Sequence, residues 1–359
     1  MKCLFVLVLM ASVAGAQSLT GVAGANRPAQ AYAEFQRLAV PHAAAPFLQV
    51  NLGDWKTSQS YDPCIPDPAT DPLVLLFSGM GAPVQTGPQR IGRATIARSA
   101  FLKDPGGWVE DSSDPVLVTG TPGQPDSNYI RQSSCLYNPD DGGKLYEYYT
   151  CNNGSVDQMC LAISSDQGHT WTKYGVVVNP AIDGCSDETW VSQGAVMRRG
   201  KGDWIMVYSW RNPGKNVILP GTRYMTSTDG KTWHGHGTCA NSLTVSPEFL
   251  EQHQIFTLGG KCVLLYETGN YTTTWTIHSA VASICEGPFT VGTRNPFLAP
   301  TQDRATWDAY QVATPWYFVV NGAAYLIYSG TSDSKTDYNL NHYPLGISTI
   351  PAPSSQRGR

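Results

Sequence analysis

Several things are scarce in this sequence. Long helical periodicity is nearly absent, which argues against a helix-built fold. After the first 16 residues no segment is long and apolar enough to anchor the chain in a bilayer. Charge imbalance is slight, −4 in formal terms, so there is no electrostatic case for nucleic acid or an anionic membrane as partner. No pair of cysteines has zinc spacing. What is abundant is turn and aromatic content: 35 Gly, 25 Pro, 18 Tyr and 10 Trp describe a turn-rich all-β protein. With 359 residues and 42% apolar content the chain can bury a large core, as one domain if it is a propeller and as two otherwise.

Met1 to Ala16 carries Lys2, an apolar run from Leu4, and Ala14-Gly15-Ala16 before Gln17. That pattern is a secretory signal, and it predicts a secreted protein. Its removal takes Cys3 and leaves eight cysteines: Cys64, Cys135, Cys151, Cys160, Cys185, Cys239, Cys262 and Cys285. An even count in a secreted chain favours disulfides, with connectivity left open. The sequons Asn153-Gly154-Ser155 and Asn270-Tyr271-Thr272 fall in predicted hairpin loops and are glycan acceptors in a eukaryotic host.

The chain is organised around Leu161 to Tyr174. Ser164-x-Asp166-x-Gly168-x-Thr170-Trp171 reads as a turn in which Asp166 accepts backbone hydrogen bonds, Gly168 supplies a positive φ and Trp171 folds back as a plug. A copy one residue shorter runs from Ser227 through Asp229 to Trp233. Five apolar strands, each ending in an aromatic followed by a small or polar residue, form the wider repeat. They end LVLLFS, LYEYYT, WIMVYS, CVLLYE and AYLIYS, and the aromatics Phe77, Tyr149, Tyr208, Tyr266 and Tyr328 lie 72, 59, 58 and 62 residues apart. Each interval holds four short strands and their turns, so the expected fold is a five-bladed β-propeller of four-stranded antiparallel blades. The expected boundaries are a leader at 17–57 wrapping the propeller, blades at about 58–118, 126–178, 187–238, 248–291 and 307–350, and a loose tail at 351–359.

In a propeller the first strand of each blade lines the central channel, so its polar side chains converge from distant positions. Each predicted first strand brings a carboxylate: Asp62, Asp126, Asp187 with Glu188, Glu251 with Glu248 nearby, and Asp308. Several carboxylates around one funnel are what glycosidic cleavage needs, one protonated to assist the leaving oxygen and one ionised to activate water or attack the sugar. Asp187 and Glu188 compete for one inward position, because neighbours on a strand face opposite sides. Tyr61, Tyr129, Trp190, Trp307 and Tyr310 are placed to stack on sugar faces, and Arg131 to orient a carboxylate or hydroxyl. His253 shares a face with Glu251, and His253 and His342 are candidates to hold a central cation or water. Asp166 and Asp229 belong to outer turns, away from the channel, and read as structural.

The pattern resembles the five-bladed glycoside hydrolases, the clan holding family 43 (arabinofuranosidase, xylosidase, arabinanase) and the fructan-acting family 32. The resemblance rests on Tyr61-Asp62-Pro63 opening blade one, Ile91-Gly92-Arg93-Ala94-Thr95 on its third strand, and Gly287-Pro288-Phe289-Thr290 closing blade four. It implies Asp62 as base or nucleophile, Asp187 as the carboxylate that orients or tunes, and Glu251 as acid. The family 32 signatures are absent, and an Asp-Glu pair stands where a lone Asp belongs in blade three. The Asp-containing turns also resemble sialidases, but five repeats and the lack of an Arg-Ile-Pro motif count against that group. The expectation is a secreted monomeric glycosidase acting on arabinose-, xylose- or galactose-type glycans, with no cofactor and a structural calcium ion left open. The alternatives are a non-catalytic carbohydrate-binding propeller and, more remotely, a protein-binding one.

Overall fold

The computed structural model describes residues 35, 40–50, 55–81, 89–180, 190–211, 222–235, 242–243, 249–269, 274–332 and 343–350. Apart from a short strand, β1 (Pro46–Leu48), the chain forms antiparallel sheets one after another. The first contains β2 (Gln59–Cys64), β3 (Leu73–Met80), β4 (Gln89–Ile96) and β5 (Val109–Glu110). The second contains β6 (Tyr129–Asn138), β7 (Lys144–Asn152), β8 (Asp157–Ser164) and β9 (Thr172–Val178). The third runs through β10 (Trp190–Gly200), β11 (Asp203–Arg211), β12 (Thr222–Ser227) and β13 (Trp233–His234). The fourth runs through β14 (Phe249–Leu258), β15 (Lys261–Gly269), β16 (Thr276–Ala282) and β17 (Thr290–Val291). Three further strands, β18 (Gln311–Val320), β19 (Ala323–Thr331) and β20 (Leu345–Ile350), make the fifth sheet with β1 at its outer edge. This is a five-bladed β-propeller.

The repeated aromatics all lie on the second strands, and all are 0 or 1% exposed. They contribute to the apolar layers between neighbouring blades, where burial of such large side chains supplies most of the stabilisation. The disulfide Cys64–Cys135 ties the first strands of blades one and two, while Cys151–Cys160 and Cys262–Cys285 act within blades two and four. Cys185 and Cys239 lie outside the described residues, as does Asn270, whereas Asn153 is exposed in a turn. Among the described residues no helix is long and apolar enough to cross a membrane.

The Asp turns connect β8 to β9 and β12 to β13, on the outside. Asp166 accepts from Thr170 N at 2.9 Å and from Thr170 Oγ1 at 2.6 Å, and Ser164 Oγ donates to it at 2.7 Å. Burial works to raise the Asp166 pKa, but these bonds outweigh it and hold the carboxyl at about 2. Arg93, from the third strand of blade one, donates to Gln167 O and to Asp111, so it clamps this turn against the preceding blade.

The outer strand of blade five comes from the leader rather than from 307–350. The leader is latched where Tyr328 Oη accepts from Ala43 N at 2.8 Å and donates to Asp308 at 2.8 Å, and where His42 Nδ1 meets Asp308 at 2.6 Å. Pairing the two ends of the chain in one sheet covers an edge of blade five and closes the ring. Trp307 belongs to this latch. Its indole donates to Ala43 O, stacks on Tyr328 and fills the space over Gly330 and Gly346, where a Cβ would collide with the ring. Trp55 repeats the arrangement in blade one, stacked on Phe77 over Gly79 and Gly92. Tyr328→Phe leaves the Ala43 amide and Asp308 short of a partner. It should cost about 1–3 kcal/mol in urea unfolding, and an unchanged midpoint would show that the latch carries no stability.

Candidate active site

All five first strands break register with the second strand at the level of the repeated aromatic. Asp62 and Pro63 together face Phe77, Gln193 and Gly194 face Tyr208, and Thr314 and Pro315 face Tyr328. In blades two and four the shift falls between Gln132 and Ser134 and between Gln252 and Gln254. These are β-bulges, one extra residue per strand, and a bulge re-aims the side chain that it carries. Asp62, Gln193 and Thr314 take positive φ values of 48°, 52° and 51°. Asp tolerates that region better than most residues, through local hydrogen bonding, whereas Thr does not. Asp62 is thereby turned out of the sheet pattern of β2.

The bulges surround an axial cavity of about 310 Å³ that takes lining side chains from all five blades. That volume is at the small end of the range for ligand sites. Asp62 comes from blade one, Arg131 from blade two, and Glu251 and Glu267 from blade four. Arg131 lies between the first and third of these. Its Nη2 donates to Glu251 Oε2 at 3.1 Å, and its Nε is 3.8 Å from Asp62 Oδ2. Gln193 Nε2 also donates to Glu251 Oε2, at 3.3 Å, and Ser78 Oγ donates to Asp62 Oδ2 at 3.4 Å. Glu267 stands directly opposite Glu251 in the β14/β15 register and accepts from Thr314 N at 2.6 Å. Tyr129 donates to Asp157, which also takes a 2.7 Å bond from Asn152. Trp190 and Trp275 supply apolar surface.

The electrostatics follow from burial and from these pairings. Burial would pull the Arg131 pKa down, but Glu251 and Asp62 more than reverse it, so the guanidinium stays charged. The Tyr61 hydroxyl is pushed well up, first by burial and then by the Asp62 charge, and stays a neutral donor. Glu147, on β7, is fully buried, and neither of its oxygens has a hydrogen-bond partner among the described residues. Burial, and after it the charge of Asp62, raises its pKa well above the usual range.

Of the candidate site residues, Tyr61, Asp62, Tyr129, Arg131, Trp190 and Glu251 come together at the cavity. Trp307 and Asp308 do not: they hold the leader, for the reason given above, because they precede β18 instead of lying on it. Tyr310 also precedes β18, and its backbone N–H bonds Thr331 O instead of contributing to the cavity wall. Asp126, too, sits before its strand, buried against Lys173 at 2.6 Å and Tyr149. Asp187, Glu188, Glu248 and His342 lie outside the described residues, as does the side chain of His253. Among the described residues no group of three or more His, Cys, Asp or Glu gathers as a metal site.

Glu267, Asp157, Trp275, Gln311 and Tyr343 also line the cavity, and sequence reasoning did not single them out. Glu267 carried a signal. It follows the repeated aromatic, where the other four blades have Ser or Thr. Gln311 begins the first strand of blade five and the other three sit at or just before the start of third strands, and nothing in the local pattern marks them.

No family model matches the chain, and no curated protein matches it. Solved structures do. One, named as a glycoside hydrolase, superimposes with a TM-score of 0.66 at 14% identity over 91% of this chain and 96% of the other. A second belongs to work on the GH130 family of mannoside phosphorylases, which contains glycoside hydrolases targeting β-1,2 mannosidic linkages in Candida mannan (TM-score 0.65, 17% identity, 87% and 93% covered). A third is an α-L-arabinofuranosidase from Podospora anserina in complex with cellotriose (TM-score 0.62, 13% identity, 88% and 98% covered). At such identities the likeness is one of fold.

Glu147 generates a pH prediction. The unfolded chain gives up this proton near pH 4.5 while the folded protein holds it to higher pH, so stability falls as pH rises above that value, by up to about 1.4 kcal/mol per pH unit. Glu147→Gln removes the dependence. From about pH 5 to pH 8 its unfolding free energy should decline less steeply than that of the wild type. Parallel curves in urea titrations would place an ionised carboxylate at this position.

Proposed function

We propose that the protein is a secreted glycoside hydrolase of the five-bladed type, acting as a monomer on arabinose-, xylose- or galactose-containing glycans. The observation that carries this reading is Arg131 spanning Asp62 and Glu251, two carboxylates 189 residues apart in sequence that meet in one axial cavity. Asp62 acts as base or nucleophile and Glu251 as acid. Glu251 passes its proton to the leaving oxygen as the glycosidic bond lengthens, and the carboxylate left behind is the form that pairs with Arg131. Asp62 either takes a proton from the attacking water or bonds to the anomeric carbon itself. One guanidinium and two contacts separate the carboxylates, so their oxygens are at most about 9 Å apart, a span compatible with inversion or retention. Arg131 neutralises part of the negative charge that the two acids bring together and fixes where each of them sits. Asp187 or Glu188 supplies the third, orienting carboxylate. The disulfides support an oxidising compartment, in keeping with export and loss of Met1 to Ala16.

A second reading, carbohydrate binding without turnover, draws on Trp190, Trp275 and Tyr129, aromatic surface at the cavity that needs no carboxylate to hold a sugar. Hydrolysis of aryl arabinofuranosides, xylosides and galactosides decides between the two. Asp62→Asn and Glu251→Gln should each lower kcat by about 10²–10⁴-fold. Turnover equal to the wild type in both variants removes these carboxylates from the mechanism, and sugar binding with no turnover by the wild type leaves the second reading.

A further inference from the structure

The seam between blades five and one carries two buried glutamines held in the same way. Tyr61 Oη donates to Gln89 Oε1 at 2.8 Å, and Tyr343 Oη donates to Gln311 Oε1 at 2.6 Å. Gln89 is 8% exposed and Gln311 1%, and both line the cavity. The two pairs are brought side by side because Tyr343 bridges to Gln59 on β2, with Ser60 N bonded to Tyr343 O at 2.7 Å. In each pair the tyrosine occupies the amide oxygen, which orients the amide nitrogen as the group left for a ligand. Gln311 Nε2 is buried with no hydrogen-bond partner among the described residues. A buried donor in that state is costly unless a ligand completes it.

The charge of the cavity narrows what that ligand is. Among the described lining residues Asp62, Asp157, Glu251 and Glu267 are acidic, and Arg131 is the one cation, already shared by Asp62 and Glu251. A carboxylate on the ligand would enter a pocket with a surplus of like charge and no uncommitted cation among those residues. A hydroxyl oxygen, neutral and able to accept, suits the amide donors.

We propose that Gln311 and Gln89, each fixed by a tyrosine hydroxyl, donate to hydroxyl oxygens of an uncharged sugar, so that the site takes neutral glycosides and refuses uronic-acid ones. This names the substrate class of the site proposed above and rests on that reading for turnover, though not for binding. The tyrosines are the positioning groups: without them the amides can turn over and present oxygen in place of nitrogen.

The test separates binding from cleavage. Tryptophan fluorescence of the wild-type protein, reporting through Trp190 and Trp275, is titrated with the non-hydrolysable methyl thioglycosides of arabinofuranose, xylose and galactose, and in parallel with those of glucuronic and galacturonic acid. At least one neutral glycoside should bind about 100-fold more tightly than either uronide. Gln311→Leu should weaken that binding about 10- to 100-fold. Tyr343→Phe, which keeps the amide but frees it to turn, should have a smaller effect, with thermal unfolding confirming that both variants fold. Gln89→Leu provides the second variant should Gln311→Leu not fold. Equal or tighter binding of a uronide, no binding of any neutral glycoside, or affinities unmoved by both glutamine substitutions overturns the inference. Wild-type protein that binds neutral sugars but cleaves none defeats the hydrolase reading alone, and wild-type cleavage of aryl uronides defeats this inference alone.

Discussion

The placing of Asp62 depends on a break in strand pairing. A regular first strand would keep Asp62 in the alternating side-chain pattern of β2 and not turn it out of that pattern. One extra residue at the level of the repeated aromatic changes that, and it occurs in all five blades. Asp62 accepts a φ of 48° as a consequence. The aromatics opposite are fully packed, so the strain is borne by a rigid surround, the condition under which such backbone persists.

Once the five blades bring acidic groups to one axis, their mutual repulsion has to be offset. Arg131 does this for Asp62 and Glu251, and backbone or amide donors do it for the rest: Thr314 N for Glu267, Asn152 for Asp157. Glu147 follows the other route, losing its charge to burial instead of gaining a partner. Burial and pairing thus act in opposite directions on carboxyl groups of the same ring, neutralising Glu147 and holding charge where a cation or donor is at hand. The ring that holds them is closed by the leader, with Trp307, Tyr328 and Asp308 as its anchor.

The repeat made the fold legible. Five aromatics at near-regular intervals give the number of blades, and each marks the strand that pairs with a channel-lining one. Asp62, Arg131 and Glu251 were legible for the same reason, since each lies on a first strand within a few residues of its bulge. Trp307, Asp308 and Tyr310 misled because they stand a turn ahead of β18, where the chain is still crossing from the outside of the ring. Trp307 has its counterpart in Trp55, and the shared glycine pairs beneath them show that both are packing residues.

The sequence by itself determined the class of fold, the number of blades and which strands face the channel, because those depend on local alternation, turn chemistry and period. The tertiary structure alone decided which polar groups meet. Gln311 and Tyr343 are 32 residues apart, Tyr61 and Gln89 28, and Arg131 and Glu251 120, and no local pattern records those encounters. They follow from the angle between blades and from the residue inserted at each bulge, which are properties of the closed ring and not of any one strand.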